Sequence, residues 1–170
     1  MKQFIEAVEK SIENENWYGA LVVALTLPDM AGWVDDPRKG SHARYTAWFE
    51  EFVLPTYKRP VGPNHVIETF LPPGDCYALR CAILHEGRDE TTDQRARDVL
   101  KRFQFVVPPK GSEIHCNLLG NKLQLQVDIF CRDMCQGAQQ WLQSIPIDDR
   151  DRQNRLSQMI VIHVGPVFRI

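Results

Sequence analysis

The 170-residue sequence has no apolar run that approaches a membrane span: the longest, Ala20 to Leu27, falls far short of the ~20 residues a bilayer crossing requires. It has no surplus of either charge. Twenty Lys and Arg stand against 22 Asp and Glu, for a formal charge of −2, so no global positive field draws the chain onto a polyanion, and any nucleic acid must be met by a local patch. Cysteines are few and odd in number. Cys76, Cys81, Cys116, Cys131 and Cys135 sit in apolar surroundings and form no disulfide framework, the pattern of reduced, buried thiols in a reducing compartment.

The first ten residues mix Lys2, Glu6, Glu9 and Lys10 with apolar positions and lack the apolar run and small-residue cleavage site of an export signal. A cytoplasmic location without membrane association is therefore expected. The chain also carries no P-loop, dinucleotide-binding glycine pattern, H-E-x-x-H, G-x-S-x-G or C-x-x-C. Nucleotide-driven, zinc-protease and serine-hydrolase chemistry lose their usual support, and no cofactor or metal is expected. Cys131 and Cys135 share a helical face, and His115-Cys116 could complete four ligands, but the spacing is not that of a zinc knuckle.

What is present is the patterning of an ordinary globular domain, with 44% hydrophobic and 25% charged residues. Over residues 2 to 13, Phe4, Ile5, Val8 and Ile12 form one stripe of an amphipathic helix. Trp17 to Leu27 is apolar on nearly every side and predicts a central helix ending at Pro28. Residues 35 to 41 read as a loop. Tyr45, Trp48, Phe49, Phe52 and Val53 recur at helical spacing and predict a third helix stopped by Pro55. Four prolines between 60 and 73 exclude long regular structure there. Gly74-Asp75 caps a fourth helix from Cys76 to about His85, closed by Gly87.

The stretch Arg88 to Arg102 is dense in charge and predicts a loop or a short exposed helix. Its cations, Arg88, Arg95, Arg97, Lys101 and Arg102, are interleaved with acids as on a solvated face. Phe103 to Val107, Ile114 to Leu118 and Leu123 to Val127 predict antiparallel strands, with Gly120-Asn121 as a tight turn. Asp128 to Leu142 predicts a fifth helix, Asp148 to Arg155 a solvated connection, and Met159 to Val164 a closing strand. Trp17, Trp33, Trp48 and Trp141 have ring faces that could stack bases, but at helical spacing they read first as core. The fold class expected is α+β: a mainly helical bundle with a small antiparallel sheet in the C-terminal half. One domain spans 1–170, its helical portion about 1–100 and its hairpin, helix and closing strand about 101–170.

The one string that suggests chemistry is Arg80-Cys81-Ala82-Ile83-Leu84-His85, a permanent cation and a titratable imidazole at the end of an apolar helix. Five residues span about 7.5 Å of helix axis and rotate by about 140°, a gap that the long Arg stem can bridge. Cleavage of RNA by its own 2′-hydroxyl needs a proton acceptor, a proton donor and a cation on the phosphorane-like charge, and imidazole and guanidinium supply these.

The segment resembles the R-x4-H signature of the HEPN superfamily (higher eukaryotes and prokaryotes nucleotide-binding), helical proteins that include metal-independent ribonucleases of toxin and antiviral systems. The resemblance covers about residues 75 to 87. It implies Arg80 and His85 as the catalytic pair, a site assembled across a homodimer, and RNA as substrate, with a small protein partner of the antitoxin kind. Cys81 stands where family members commonly carry a polar residue, and the strands from 103 onward are not part of the usual bundle. More broadly, Ala24 to Gly32, Arg44 to Phe49 and Asp75 to Gly87 are similar to strings in a family of uncharacterised bacterial proteins of about this size, a likeness that names no activity. Asp29 and Asp75 are the candidate supports, one orienting Arg80 or tuning His85. The competing reading is a non-enzymatic interaction or immunity-type module. In it His85 complements a helix dipole and Arg80 pairs with a buried carboxylate such as Asp29.

Overall fold

In the computed structural model, which describes residues 1–84, 98 and 100–163, the core is built around one helix. Helices α1 (Lys2–Glu13), α2 (Trp17–Asp35) and α3 (Ser41–Phe52) open the chain. Asn16 caps α2 by accepting the Gly19 N–H at 3.1 Å on its side chain. Helix α1 buries Ile5, Val8 and Ile12, the stripe its periodicity predicts. Helix α2 packs against α1, α3 and the later helix α5 (Val127–Ser144). Its length and mean hydropathy of 1.2 would suit a membrane span, but it occupies the centre of the bundle, with Ala20, Ala24, Leu25, Leu27 and Ala31 fully buried.

Helix α2 does not stop at Pro28. It continues for two more turns to Asp35, with Pro28 itself buried. The missing N–H and the ring clash of an interior proline cost about 3 kcal/mol, and the burial of Ala31, Gly32 and Val34 beyond it offsets that cost. Thr26 Oγ1 turns back to the Val23 carbonyl at 2.7 Å just before the interruption.

After α3 a short 3-10 turn (Leu54–Tyr57) begins around Pro55. Strands β1 (Lys58–Val61) and β2 (Val66–Thr69) then form an antiparallel ribbon, short regular structure in the proline-rich stretch that the sequence did not reveal. Helix α4 runs Pro73–Leu84, starting three residues earlier than predicted because Pro73 suits a first helical position. Its predicted closure at Gly87 lies outside the described residues, as does most of the charged stretch from 88.

The second sheet is mixed. Strand β4 (Asn117–Leu119) pairs antiparallel with β5 (Lys122–Gln126) through the predicted Gly120-Asn121 turn, where Gly120 supplies φ +63°. Strand β3 (Phe103–Val106), however, pairs parallel with β5, not antiparallel, because the long segment between them carries the chain back before it re-enters the sheet. Phe103, Leu123 and Leu125 turn from this sheet into the same apolar cluster that holds Leu25, Phe49, Phe130 and Trp141.

Helix α5 covers the predicted fifth helix. The charge run after it is not a loop: Arg150–Ser157 is helix α6, capped by Asp149. Two of its arginines, Arg152 and Arg155, are partnered, which propensity alone cannot show. Arg155 Nε donates to the Val34 carbonyl at 2.5 Å, and Arg152 Nη1 reaches Asp35 at 3.3 Å, so two cations close the C-terminal end of α2. Residues 159 to 163 form no strand; Ile160, Val161 and Ile162 are exposed at 72%, 59% and 86%.

Candidate functional site

Helix α4 lies against α3 and α2, and its inward side carries Cys76, Ala78, Leu79 and Cys81. Arg80 projects from its margin toward α2. Its Nε donates to Asp29 Oδ2 at 2.6 Å, and both side chains are 16% exposed. The other carboxylate oxygen, Oδ1, accepts the Ser41 hydroxyl at 2.7 Å. Three helices thus meet on one carboxylate: α2 supplies Asp29, α3 supplies Ser41 and α4 supplies Arg80. Burial works against the charge on Arg80, but the Asp29 carboxylate outweighs it and raises the guanidinium above its ordinary pKa.

The bond through Nε leaves the terminal nitrogens of the guanidinium nearly uncommitted. Among the described residues Nη1 has only a long contact to Cys81 Sγ at 4.0 Å, and Nη2 has none. The Arg80 guanidinium carbon lies 5.9 Å from the centroid of the Tyr77 ring. Tyr77 in turn meets the rings of His42 and Tyr45 edge-on, at 4.8 and 5.3 Å. An exposed imidazole, His42, is therefore two ring contacts from the cation.

Of the residues the sequence nominates, Arg80 and Asp29 are brought together. Asp75 is not. It lies in the first turn of α4, where its charge complements the helix dipole, and its Oδ1 accepts from Arg102 Nη2 at 3.2 Å. His85 lies outside the described residues. Sequence reasoning missed Ser41, Tyr77 and His42; only the packing of α3 on α4 gathers them. Trp48 and Trp141 are core residues at 3% and 1% exposure, as expected, whereas Trp33 keeps 36% of its surface in solvent.

A second polar group lies under the ribbon. The Tyr57 hydroxyl donates to Asp133 Oδ2 at 2.9 Å, and His115 Nε2 is 3.7 Å from that same oxygen. The His115 side chain is 1% exposed, and neither ring nitrogen has a hydrogen-bond partner among the described residues. Burial, aided by the Arg59 charge, pushes its pKa down to about 4. Burial likewise raises Asp133. Cys131 and Cys135 are buried, and among the described residues no group of three or more His, Cys, Asp and Glu is placed to hold a metal ion. No protein-family model, curated protein or solved structure matches the chain.

Proposed function

We propose that the chain is a HEPN-like, metal-independent endoribonuclease of a toxin or defence system. Arg80 stabilises the charge on the scissile phosphate, His85 acts as general acid or base, and Asp29 orients the guanidinium. The observation that carries this reading is the end-on Nε bond to a carboxylate that Ser41 itself holds. That bond fixes the plane of the guanidinium and spares its two terminal nitrogens, the pair that matches two phosphate oxygens. Asp75 is engaged by Arg102, which leaves Asp29 as the carboxylate in contact with Arg80. A cytoplasmic setting is supported by five unpaired thiols, and a homodimer would bring two copies of α4 together as the family resemblance implies.

In this reaction the 2′-hydroxyl loses its proton as its oxygen attacks the adjacent phosphorus. The 5′-oxygen leaves with a proton, and the products are a 2′,3′-cyclic phosphate and a 5′-hydroxyl. A neutral imidazole takes the first proton or an imidazolium gives the second, and Arg80 balances the charge that accumulates between the two events. The test is incubation of purified protein with RNA in excess EDTA. Cleavage to cyclic phosphate ends, abolished by Arg80→Ala and by His85→Ala and absent with 2′-O-methyl RNA, is expected; cleavage that survives His85→Ala overturns the assignment.

A specific observation favours a second reading, the non-enzymatic interaction module. Arg80 and Asp29 are both largely enclosed, and together they join three helices, which is what a structural lock requires. In that case Arg80→Ala lowers the melting temperature without any cleavage to lose.

A further inference from the structure

The C-terminal sheet is unfinished on one side. Its order is β3-β5-β4, which leaves β4 (Asn117–Leu119) as an edge. Directly paired residues share a face of a sheet, and the inner-face row Phe103, Leu123 and Leu118 is 9%, 4% and 58% exposed. Burial therefore stops at β4. The outer face is polar: the Asn117 amide donates to Gln124 at 2.7 Å, and Gln124 donates to Gln104 at 3.4 Å. Leu119 stands on that outer face, also exposed. Among the described residues, 117–119 make no backbone hydrogen bond besides those to β5. The strand carries neither the charge nor the proline with which natural edges resist pairing. The opposite edge, β3, shares a cavity with Trp17, Tyr18 and Leu21 of α2, so β4 is the open one.

The chain also holds a strand-like segment without a sheet. Ile160, Val161 and Ile162 are of the types that favour strands, yet all three are exposed. Among the described residues the backbone of 160–163 takes part in one hydrogen bond, from Gln3 Nε2 to the Ile160 carbonyl at 3.0 Å. Segment and edge lie at opposite ends of the bundle. Met159 and Ile160 line a groove with Trp33 near the C-terminal end of α2, where Trp141 of α5 donates to Asp35 at 2.9 Å. Strand β5 instead runs straight into the N-terminal end of α5 at Val127. The 18 residues of α5, about 27 Å of helix, lie between them.

We propose that a second copy of this chain completes the sheet: residues 161–163 of one copy add antiparallel to β4 of the other, and two-fold symmetry repeats the exchange. A single sequence supplies both the unpaired strand and the unpaired edge, so no other partner is needed. The faces select the register. With Asn117 opposite His163, Leu118 opposite Ile162 and Leu119 opposite Val161, Ile162 covers the exposed Leu118 on the inner face. His163 then joins the polar outer row, and Val161 shields Leu119. A slip of one residue turns Ile162 outward. A slip of two needs Met159 in the strand, but Met159 is held at the N-terminus, where the Met1 amino group donates to its sulfur at 3.0 Å. Because segment and edge are separated by the length of α5, two copies side by side in opposite directions form both contacts at once, which closes the assembly as a dimer. The inference does not rest on the nuclease reading, and its test involves no RNA.

The experiment is sedimentation of the full chain from micromolar to near-millimolar concentration, for the parent, Leu118→Lys and Ile162→Lys. The parent is expected to dimerise, and each lysine to weaken dimerisation about tenfold or more. Both positions are exposed in the single chain, and an unchanged melting temperature of the dilute variants shows that the loss is not unfolding. Mixing the two variants should restore association in part, because one of the two exchanges then joins an intact strand to an intact edge. Under oxidation Leu118→Cys mixed with Ile162→Cys should give a disulfide-linked dimer, and Leu118→Cys mixed with Val161→Cys should not. A parent that stays monomeric throughout, a dimer that both lysines leave unchanged, or a dimer linked by Leu118→Cys alone overturns the proposal. Equal cross-linking through Val161→Cys overturns the register.

Discussion

Asp29 and Arg80, 51 residues apart in the chain, form a 2.6 Å hydrogen-bonded ion pair that couples the centre of α2 to the second half of α4. The bond does two jobs. It holds the plane of a permanent cation, the one on which the proposed phosphate contact depends, and it closes the seam where α2, α3 and α4 converge.

Replacing Arg80 by Ala is expected to lower stability by about 2 kcal/mol, between the small effect of exposed pairs and the larger one of fully enclosed pairs, because Asp29 is then left without its cation. Asp29→Asn keeps the Ser41 contact and should cost less. Urea melts of the two variants check this ordering; a larger loss for Asp29→Asn would show that the enclosed Arg80 charge without its carboxylate is costlier than the Asp29 charge without its cation.

Acid should destabilise the protein through His115. Its folded pKa, about 4, lies below the ordinary value of 6.5, so the unfolded chain binds a proton in the window between them that the folded chain refuses. The contribution is complete above pH 6.5 and is lost as pH falls toward 4, by about 3 kcal/mol at most. Asp133, raised by burial, works in the opposite sense, and Arg59 and Asp128 flank the imidazole with opposite charges. Thermal melts from pH 7 to 4 should therefore fall more steeply for the parent than for His115→Asn. Parallel curves would refute the assignment.

Gly137 of α5 sits tightly against the C-terminal end of α3. A Cβ at that position would lie 2.7 Å from Val53 Cγ2 and 3.2 Å from the Phe52 carbonyl oxygen. Gly137→Ala removes a helix-weakening glycine, worth about 1 kcal/mol, yet forces two stiff neighbours apart at about 1–3 kcal/mol. The expected result is net destabilisation, and calorimetry would show a lower melting temperature.

Thiol reactivity should be low and graded. Burial pushes Cys76 and Cys135 up to about 12 and raises Cys131 as well, while the half-buried Cys116 is raised less far. With a disulfide-exchange reagent at pH 8, Cys116 is expected to react first and these other three only on unfolding in urea. Rapid reaction of Cys76 in the folded protein would contradict its enclosure against the Tyr45 hydroxyl at 3.4 Å.

Local pattern decided the helices and the turn between β4 and β5, because amphipathic spacing, caps and glycine act over a few residues: the stripe Ile5, Val8, Ile12 and the turn at Gly120 are in place. It also nominated Arg80 with Asp29 as a partner. Tertiary contacts alone decided the rest. Helix α2 passes Pro28 because Ala31, Gly32 and Val34 are buried beyond it, and α6 forms because Arg152 and Arg155 find the end of α2. Likewise β3 runs parallel to β5, and Ser41 and Arg80 meet on Asp29 from two other helices. Each of these depends on groups that the chain brings together from far apart, and no window of sequence contains the energy that favours them.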